Sequence, residues 1–169
     1  MIGNTRKVFA ISSLCTGCRT CEIACAVAHS TTKSLVGAIL EIPLPRYAIE
    51  VQPGEKVTLP LNCRHCEEPD CLFACKAGAV SKDGDSGQVK VDLDKCVGCW
   101  MCVMVCPFGA ARSDAERGKV VKCDLCVDRP EGPACVEACP TKALFFGTAE
   151  EFEAHRKEIK KRVALVRSA

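Results

Sequence analysis

The sequence predicts a small α+β fold, built from short β-hairpins and cysteine-bearing loops and closed by a C-terminal helix. Three observations predict it. The sixteen cysteines of the 169-residue chain fall into four groups of four, so one cysteine-bearing unit recurs along the sequence. Short extended segments flank stretches of Gly, Pro and Asp, which is the pattern of tight hairpins. After Gly147 the apolar residues recur at helical spacing.

The four quartets are Cys15, Cys18, Cys21, Cys25; Cys63, Cys66, Cys71, Cys75; Cys96, Cys99, Cys102, Cys106; and Cys123, Cys126, Cys135, Cys139. No cysteine is left over. The longest insert, Ala26 to Asn62, separates the first two. Within it, Pro45 to Val51 and Lys56 to Leu61 flank a Pro53-Gly54 turn and read as a hairpin. Val80-Ser81 and Gln88 to Asp92 flank the loop Asp83 to Gly87 and read as a second. Lys119 to Lys122 reads as a short strand leading into the fourth quartet. In the tail, Thr148 and Glu151 match a capping box, and Phe152, Ile159, Val163 and Val166 form an apolar stripe. Glu150, Glu151 and Glu153 come early and Lys160, Lys161, Arg162 and Arg167 late, the order that suits a helix dipole. Such a helix either packs on the core or docks a partner.

Apolar residues make up 48% and charged residues 26%, ordinary values for a globular chain. Aromatics are only 5%, so large side chains cannot fill much of the interior and something else must occupy it. A formal net charge of +2 gives no reason to expect nucleic acid or an anionic membrane as the main partner. The cysteine density means disulfides or metal. Met1 to Ala10 lacks the apolar stretch and cleavage site of a signal peptide, and no run approaches the ~18 apolar residues of a membrane span. The expectation is a cytoplasmic chain whose cysteines stay reduced and bind metal.

Quartets one and three read C-x2-C-x2-C-x3-C, and Cys106 is followed by Pro107. This is the run that holds cubane [4Fe–4S] clusters in bacterial ferredoxins. Three thiolates two residues apart lie on one tight loop and converge on one cube. The fourth is expected at the start of a helical turn, pointing elsewhere; in two-cluster ferredoxins it ligates the other cluster. Quartet two widens its middle gap with Glu67-Glu68-Pro69-Asp70, and quartet four widens the same gap from Val127 to Ala134. Both insertions carry turn formers and can bulge outward. Structural zinc takes two separated cysteine pairs, which quartets two and four tolerate and the tight triplets do not. Disulfides need an oxidising compartment.

These residues resemble the four-cluster ferredoxin subunits that serve DMSO-reductase-type molybdenum and tungsten enzymes, hydrogenases and carbon monoxide dehydrogenase. The stretches that carry the resemblance are CTGCRTCEIACAVAH from Cys15, PLNCRHC from Pro60, CVGCWMCVMVCPFG from Cys96 and KCDLCVDRPEGPACVEACPTKAL from Lys122. Two short types are most similar: the electron-transfer protein of carbon monoxide dehydrogenase and the small polyferredoxin subunit of bacterial tungsten aldehyde oxidoreductase. The fragment Leu40 to Arg46 supports that grouping. The sequence departs from a simple ferredoxin at Ala26 and Lys76, where proline would follow the fourth cysteine. Many relatives continue into a membrane anchor or an extension; neither follows here, so a quinone-linked respiratory role is not expected.

The resemblance implies two interleaved bacterial-ferredoxin-like dicluster modules, quartets one and four in one and two and three in the other. The four-cluster domain would span residues 1–147, with module one from 1–30 and 119–147, module two from 60–112, a hairpin insert at 31–59, and the amphipathic helix at 148–169. The implied ligand sets are Cys15, Cys18, Cys21 and Cys139; Cys123, Cys126, Cys135 and Cys25; Cys63, Cys66, Cys71 and Cys106; and Cys96, Cys99, Cys102 and Cys75. The implied function is to relay single electrons between a catalytic oxidoreductase subunit and another redox carrier. The catalytic subunit would be a tungsten/molybdenum enzyme, carbon monoxide dehydrogenase or a hydrogenase. The further contact would be a second copy of this protein or a flavin-containing subunit. A free polyferredoxin shuttling among several enzymes is the alternative.

No catalytic residue is expected. No cysteine remains as a nucleophile, the three histidines lack an evident catalytic partner, and no G-x-G-x-x-G fingerprint for a nicotinamide or flavin is present. His65, between Cys63 and Cys66, reads either as a tuner of cluster potential or as a residue at the surface or just behind the ligands; His29 and His155 read as structural. Trp100 and Met101 are expected to pack over the third quartet as a water barrier. Glu67, Glu68 and Asp70 read as a solvated acidic face or a docking patch.

Overall fold

The computed structural model describes residues 5–55 and 57–167, with residues 162–167 as backbone only. In sequence order the elements are β1 (Lys7–Ala10), a 3-10 turn (Ser12–Leu14), α1 (Thr20–Ala28), α2 (Leu35–Leu40), β2 (Ile49–Gln52), β3 (Leu59–Asn62), α3 (Asp70–Phe73), β4 (Val80–Lys82), β5 (Val89–Val91), α4 (Met101–Met104), β6 (Arg112–Asp114), β7 (Lys119–Val121), α5 (Ala134–Glu137), β8 (Leu144–Gly147) and α6 (Ala149–Arg167). Strands of three or four residues cannot build a broad sheet. They form four separate antiparallel pairs: β1 with β8, β2 with β3, β4 with β5, and β6 with β7. The two hairpins expected from the turn signals are present, with Ile49 opposite Asn62 and Val80 opposite Val91. The expected strand at Lys119 is also present, paired with β6.

The pairing of β1 with β8 ties the two ends of the cysteine-bearing region together, with Lys7 opposite Gly147 and Ala10 opposite Leu144. The core lies beneath this pair. Its buried members are Val8, Cys21, Cys25, Ala48, Ile49, Val51, Leu125, Cys135, Cys139, Ala143 and Leu144. Four of these eleven are cysteines, so the interior is organised around sulfur, as the scarcity of aromatics implied. Helix α1 of quartet one lies against α5 of quartet four, and α3 of quartet two lies against α4 of quartet three.

The insert between quartets one and two holds a helix as well as the expected hairpin. Ser34 caps α2, its Oγ accepting from the Gly37 N–H at 3.1 Å. The carboxylate of Glu22, buried in α1, accepts from the Val51 N–H at 2.6 Å and fastens β2 to that helix. Arg117 donates to the carbonyls of Pro43 (2.9 Å) and Leu44 (3.0 Å), and Asp114 faces Arg46 (3.6 Å) and Arg117 (3.0 Å). These contacts clamp the descending part of the insert to the β6–β7 hairpin.

Helix α6 begins with the expected capping box: the Thr148 N–H donates to Glu151 at 2.9 Å and the Glu151 N–H donates to Thr148 Oγ1 at 3.2 Å. Its first half packs. Phe152 stacks on Phe9 with ring centres 4.5 Å apart, and His155 stacks on Phe145 at 4.7 Å. Lys160 and Lys161 are exposed. The side chains of Val163, Val166, Arg162 and Arg167 lie outside the described residues, as do Lys56 and the first four residues. No helix among the described residues is long and apolar enough to cross a membrane.

Candidate metal centres

Each cysteine loop is shaped by the same backbone device. The residue before the second cysteine of every quartet has positive φ: Gly17 (72°), His65 (44°), Gly98 (68°) and Leu125 (60°). A left-handed residue reverses the backbone between two cysteines, so both thiols face one point. Glycine does this without strain; His65 and Leu125 accept about 1–2 kcal/mol each for it. At Gly98 a side chain is also excluded by space, since a Cβ would come within 2.4 Å of the Gly118 carbonyl oxygen. The third cysteine of every quartet is the second residue of a helix: Cys21 in α1, Cys71 in α3, Cys102 in α4 and Cys135 in α5. The fourth cysteine does not open the helical turn as expected. Cys75, Cys106 and Cys139 follow just past the ends of one-turn helices, and Cys25 sits within the longer α1.

The turns bring the thiols into groups. One hollow is lined by Cys63, Cys66, Cys71 and Cys106, with Arg64, Asp70, Val89, Phe108 and Lys122 beside them. A second is lined by Cys75, Cys96, Cys99 and Cys102. In each, three cysteines come from one quartet and the fourth from its neighbour in sequence. In the core beneath β1–β8, Cys135 is close enough to Cys25, Cys126 and Cys21 for their charges to act on it, and Cys139 acts likewise on Cys21. All sixteen cysteines are free thiols.

Donors already point at the sulfurs. The N–H of Ala48 reaches Cys25 Sγ at 3.2 Å, that of Ala79 reaches Cys75 at 3.2 Å, and that of His65 reaches Cys63 at 3.4 Å. Thr20 Oγ1 donates to Cys18 at 3.4 Å and holds that thiol below its usual range. Lys122 Nζ lies 2.9 Å from Cys63 Sγ and 2.8 Å from the Val89 carbonyl. Such donors stabilise thiolate over thiol, which is what an iron ligand requires. Burial works the other way. It pushes Cys71 and Cys21 up to about 11, with nearby thiolates adding to the rise, and raises Cys123 and Cys135 further. Grouped, buried thiols of this kind repel one another when ionised. A metal group bearing positive charge relieves both penalties, so the donor set fits an iron–sulfur cluster.

His65 is 1% exposed. Its Nδ1 accepts from the Val89 N–H at 3.1 Å, which leaves the proton on Nε2, a buried atom with no hydrogen-bond partner. Burial, together with the charges of Lys122 and Lys7, lowers its pKa to about 3, so the ring is neutral. It is therefore an interior residue. His29 bridges the Cys25 carbonyl (2.7 Å from Nδ1) and Asp124 (3.0 Å from Nε2). Its ring and the Asp124 carboxylate approach Cys126. The two side chains satisfy each other and brace the loops of quartets one and four. Trp100 lines the Cys75–Cys102 hollow as expected, whereas Met101 is 46% exposed and does not line it. Met101 starts α4, whose cysteine faces inward one residue later, so its own side chain is turned out. Glu67, Glu68 and Asp70 are exposed.

Sequence reasoning passed over Lys122, Asp124 and Glu22. For Lys122 a signal existed: strand alternation puts it on the same face as Val120, which is 3% exposed. A lysine on the inward face next to a cysteine is a charge placed for a purpose.

Residues 55–149 match the family described as the 4Fe-4S dicluster domain. Electron transport protein HydN of Escherichia coli (strain K12) is 37% identical over 176 residues, covering 95% of this chain and 98% of its own. An iron-sulfur protein of Rhodospirillum rubrum is 42% identical over 153 residues, covering 81% of this chain and 79% of its own. YnfG, a probable anaerobic dimethyl sulfoxide reductase component of Escherichia coli (strain K12), is 41% identical over 155 residues, covering 85% of this chain and 73% of its own. With its cysteines grouped as described, the protein belongs to the 4Fe-4S dicluster family of iron–sulfur proteins.

Proposed function

We propose that this protein holds four [4Fe–4S] clusters and relays single electrons through them between a catalytic oxidoreductase subunit and another redox carrier. The observation that carries this reading is the mixed parentage of the two cysteine-lined hollows, in which Cys106 joins quartet two and Cys75 joins quartet three. The ligand sets are then Cys63, Cys66, Cys71, Cys106 and Cys96, Cys99, Cys102, Cys75. The remaining cysteines divide into Cys15, Cys18, Cys21, Cys139 and Cys123, Cys126, Cys135, Cys25. Quartets two and three make one module over residues 60–112. Quartets one and four make the other, from 1–30 and 119–147, with the insert at 31–59 and the terminal helix after residue 147. The contacts of α1 with α5 and of α3 with α4 support this division.

The clusters supply one-electron redox chemistry. The protein's own residues hold the thiolates, donate to several of their sulfurs and bury Cys21, Cys25, Cys63, Cys135 and Cys139. The protein is itself non-catalytic, and the reaction belongs to the subunit it serves. That subunit is of the class of tungsten/molybdenum aldehyde oxidoreductases, carbon monoxide dehydrogenase or hydrogenases. Its supporting surface is the apolar run from α2 onward: Leu35, Val36, Ile39, Leu40, Ile42 and Leu44 are each at least half exposed. Contiguous apolar exposure of this kind marks a protein contact. An open groove lined by Leu35, Ile23 and Val27 leads from it to His29 and Cys126, so a redox partner docked there faces a proposed ligand directly.

Anaerobically isolated protein is expected to be brown and to contain sixteen irons and sixteen sulfides, one set per four of its sixteen cysteines. About eight irons, with zinc making up the difference, would overturn the four-cluster reading. Stoichiometric co-purification with a catalytic subunit supports the relay; an unattached protein that reduces several enzymes supports the shuttle.

A further inference from the structure

The two hollows of module two are built alike and charged differently. Around Cys75, Cys96, Cys99 and Cys102 the lining is Ala77, Ala79, Val80, Val91, Trp100 and other apolar or glycine residues, with no ionisable side chain besides the cysteines. The nearby Lys119 donates to the Cys96 carbonyl at 2.7 Å rather than to sulfur. Around Cys63, Cys66, Cys71 and Cys106 the lining includes Lys122, with Nζ 2.9 Å from Cys63 Sγ. The Val89 carbonyl, at 2.8 Å, fixes that ammonium in place, and the side chain is half-buried, so water screens it only in part. Arg64 also borders this hollow, but its guanidinium lies over the Phe108 ring at 5.8 Å. Asp70, the opposing charge, is exposed.

Lys122 also stands at a joint. It immediately precedes Cys123, which feels the charges of both Cys63 and Cys25 and so lies between the modules. We infer that Lys122 sets the centre held by Cys63, Cys66, Cys71 and Cys106 at a higher reduction potential than its Cys75–Cys96–Cys99–Cys102 neighbour, making it the seat of an electron that crosses between the modules. This rests on the ligand sets proposed above. The physical reason is charge. Reduction adds one negative charge to a centre, and a fixed ammonium on its thiolate ligand stabilises that charge, whereas an apolar wall does not. The electron comes from, and leaves to, neighbouring one-electron centres; Lys122 exchanges nothing and acts through Cys63.

The test is an anaerobic potentiometric titration, followed by EPR, of the full cluster-loaded protein and its variants. Cys106→Ser identifies the centre, as the midpoint it displaces or abolishes. Lys122→Met and Lys122→Gln should lower that same midpoint so that its oxidised-to-reduced ratio changes at least tenfold, about 59 mV for one electron. Lys122→Arg should leave it nearly in place, and Arg64→Gln should move it less than Lys122→Gln does. The inference is overturned if iron content is retained and no midpoint moves in Lys122→Met or Lys122→Gln. It is equally overturned if both variants lose iron while Lys122→Arg does not, because Lys122 is then an assembly residue. If Lys122→Gln moves a midpoint other than the one Cys106→Ser affects, the ligand sets fail instead.

Discussion

The hollow that holds Cys63 and the hollow that holds Cys75 share a left-handed turn, a one-turn helix and a thiol borrowed from the adjacent quartet, yet their walls differ. One wall carries a fixed ammonium; the other is apolar and lined by Trp100. Backbone geometry in this protein therefore repeats, while the electrostatics do not. A repeated ligand loop makes every centre bindable, and the side chains that vary around it make the centres distinguishable. A relay needs both, because a row of identical centres would give electrons no preferred resting place.

The largest test of this comparison removes a ligand. Cys75→Ser is expected to disturb only the centre in the apolar hollow, although Cys75 belongs by sequence to the quartet of Cys63. One cluster's worth of iron should be lost or converted, and the Lys122-sensitive midpoint should stay where it is. A shift in that midpoint, or a structure with Cys75 and Cys63 on one cube, would sink the crossover.

The next test addresses the turns. Gly98 at φ 68° and Gly78 at φ 63° both have left-handed backbone, but only at Gly98 would a Cβ meet another backbone atom, the Gly118 oxygen at 2.4 Å. Gly78→Ala should cost about 1 kcal/mol from conformation alone. Gly98→Ala should cost about 2–3 kcal/mol, because the loop must also move off β6–β7. Loss of a metal cluster is not a reversible two-state process, so the readout is the rate at which absorbance near 400 nm bleaches in denaturant. Equal rates for the two variants would show that the approach to Gly118 is slack.

Much of this was legible in the sequence because the informative features were local. Turn residues announced the two hairpins, Thr148 and Glu151 announced the start of α6, and the cysteine spacing announced the loops. What was not legible depends on contacts between distant residues. The β1–β8 pair joins Lys7 to Gly147, and no hairpin turn links the two segments to mark them as paired strands. Helix α2 is one and a half turns of Leu, Val, Gly, Ala and Ile with no polar face, so it offers no periodicity to read. Met101 was expected over the cysteines because it is large and apolar, but its place at the start of α4 turns it outward. His65 was open to two readings because its burial comes from β5, twenty-four residues on.

The smallest expected effect tests whether the insert is independent of the metal centres. Asp114 is nearly buried, with a side chain 8% exposed, and faces Arg117 at 3.0 Å and Arg46 at 3.6 Å. Burial opposes its ionisation, but hydrogen bonds from Arg117 and the charges of Arg117 and Arg46 hold its pKa below the ordinary 3.8. A depressed carboxylate pKa contributes stability that is present above the ordinary value and is lost as pH falls through the folded one. Asp114→Asn should therefore cost about 1–2 kcal/mol near pH 7, the net worth of a hydrogen bond together with a partly screened ion pair. The gap between variant and parent should persist down to about pH 4 and close below it. Bleaching rates measured across that range give the profile. Because Asp114 lines neither cysteine hollow, the midpoints should remain unchanged while the segment from Pro43 to Arg46 loosens, which proteolysis at that segment would report. A displaced midpoint would mean that the clamp on the insert also shapes a metal centre, and that the two parts of the molecule are coupled through the β6–β7 hairpin.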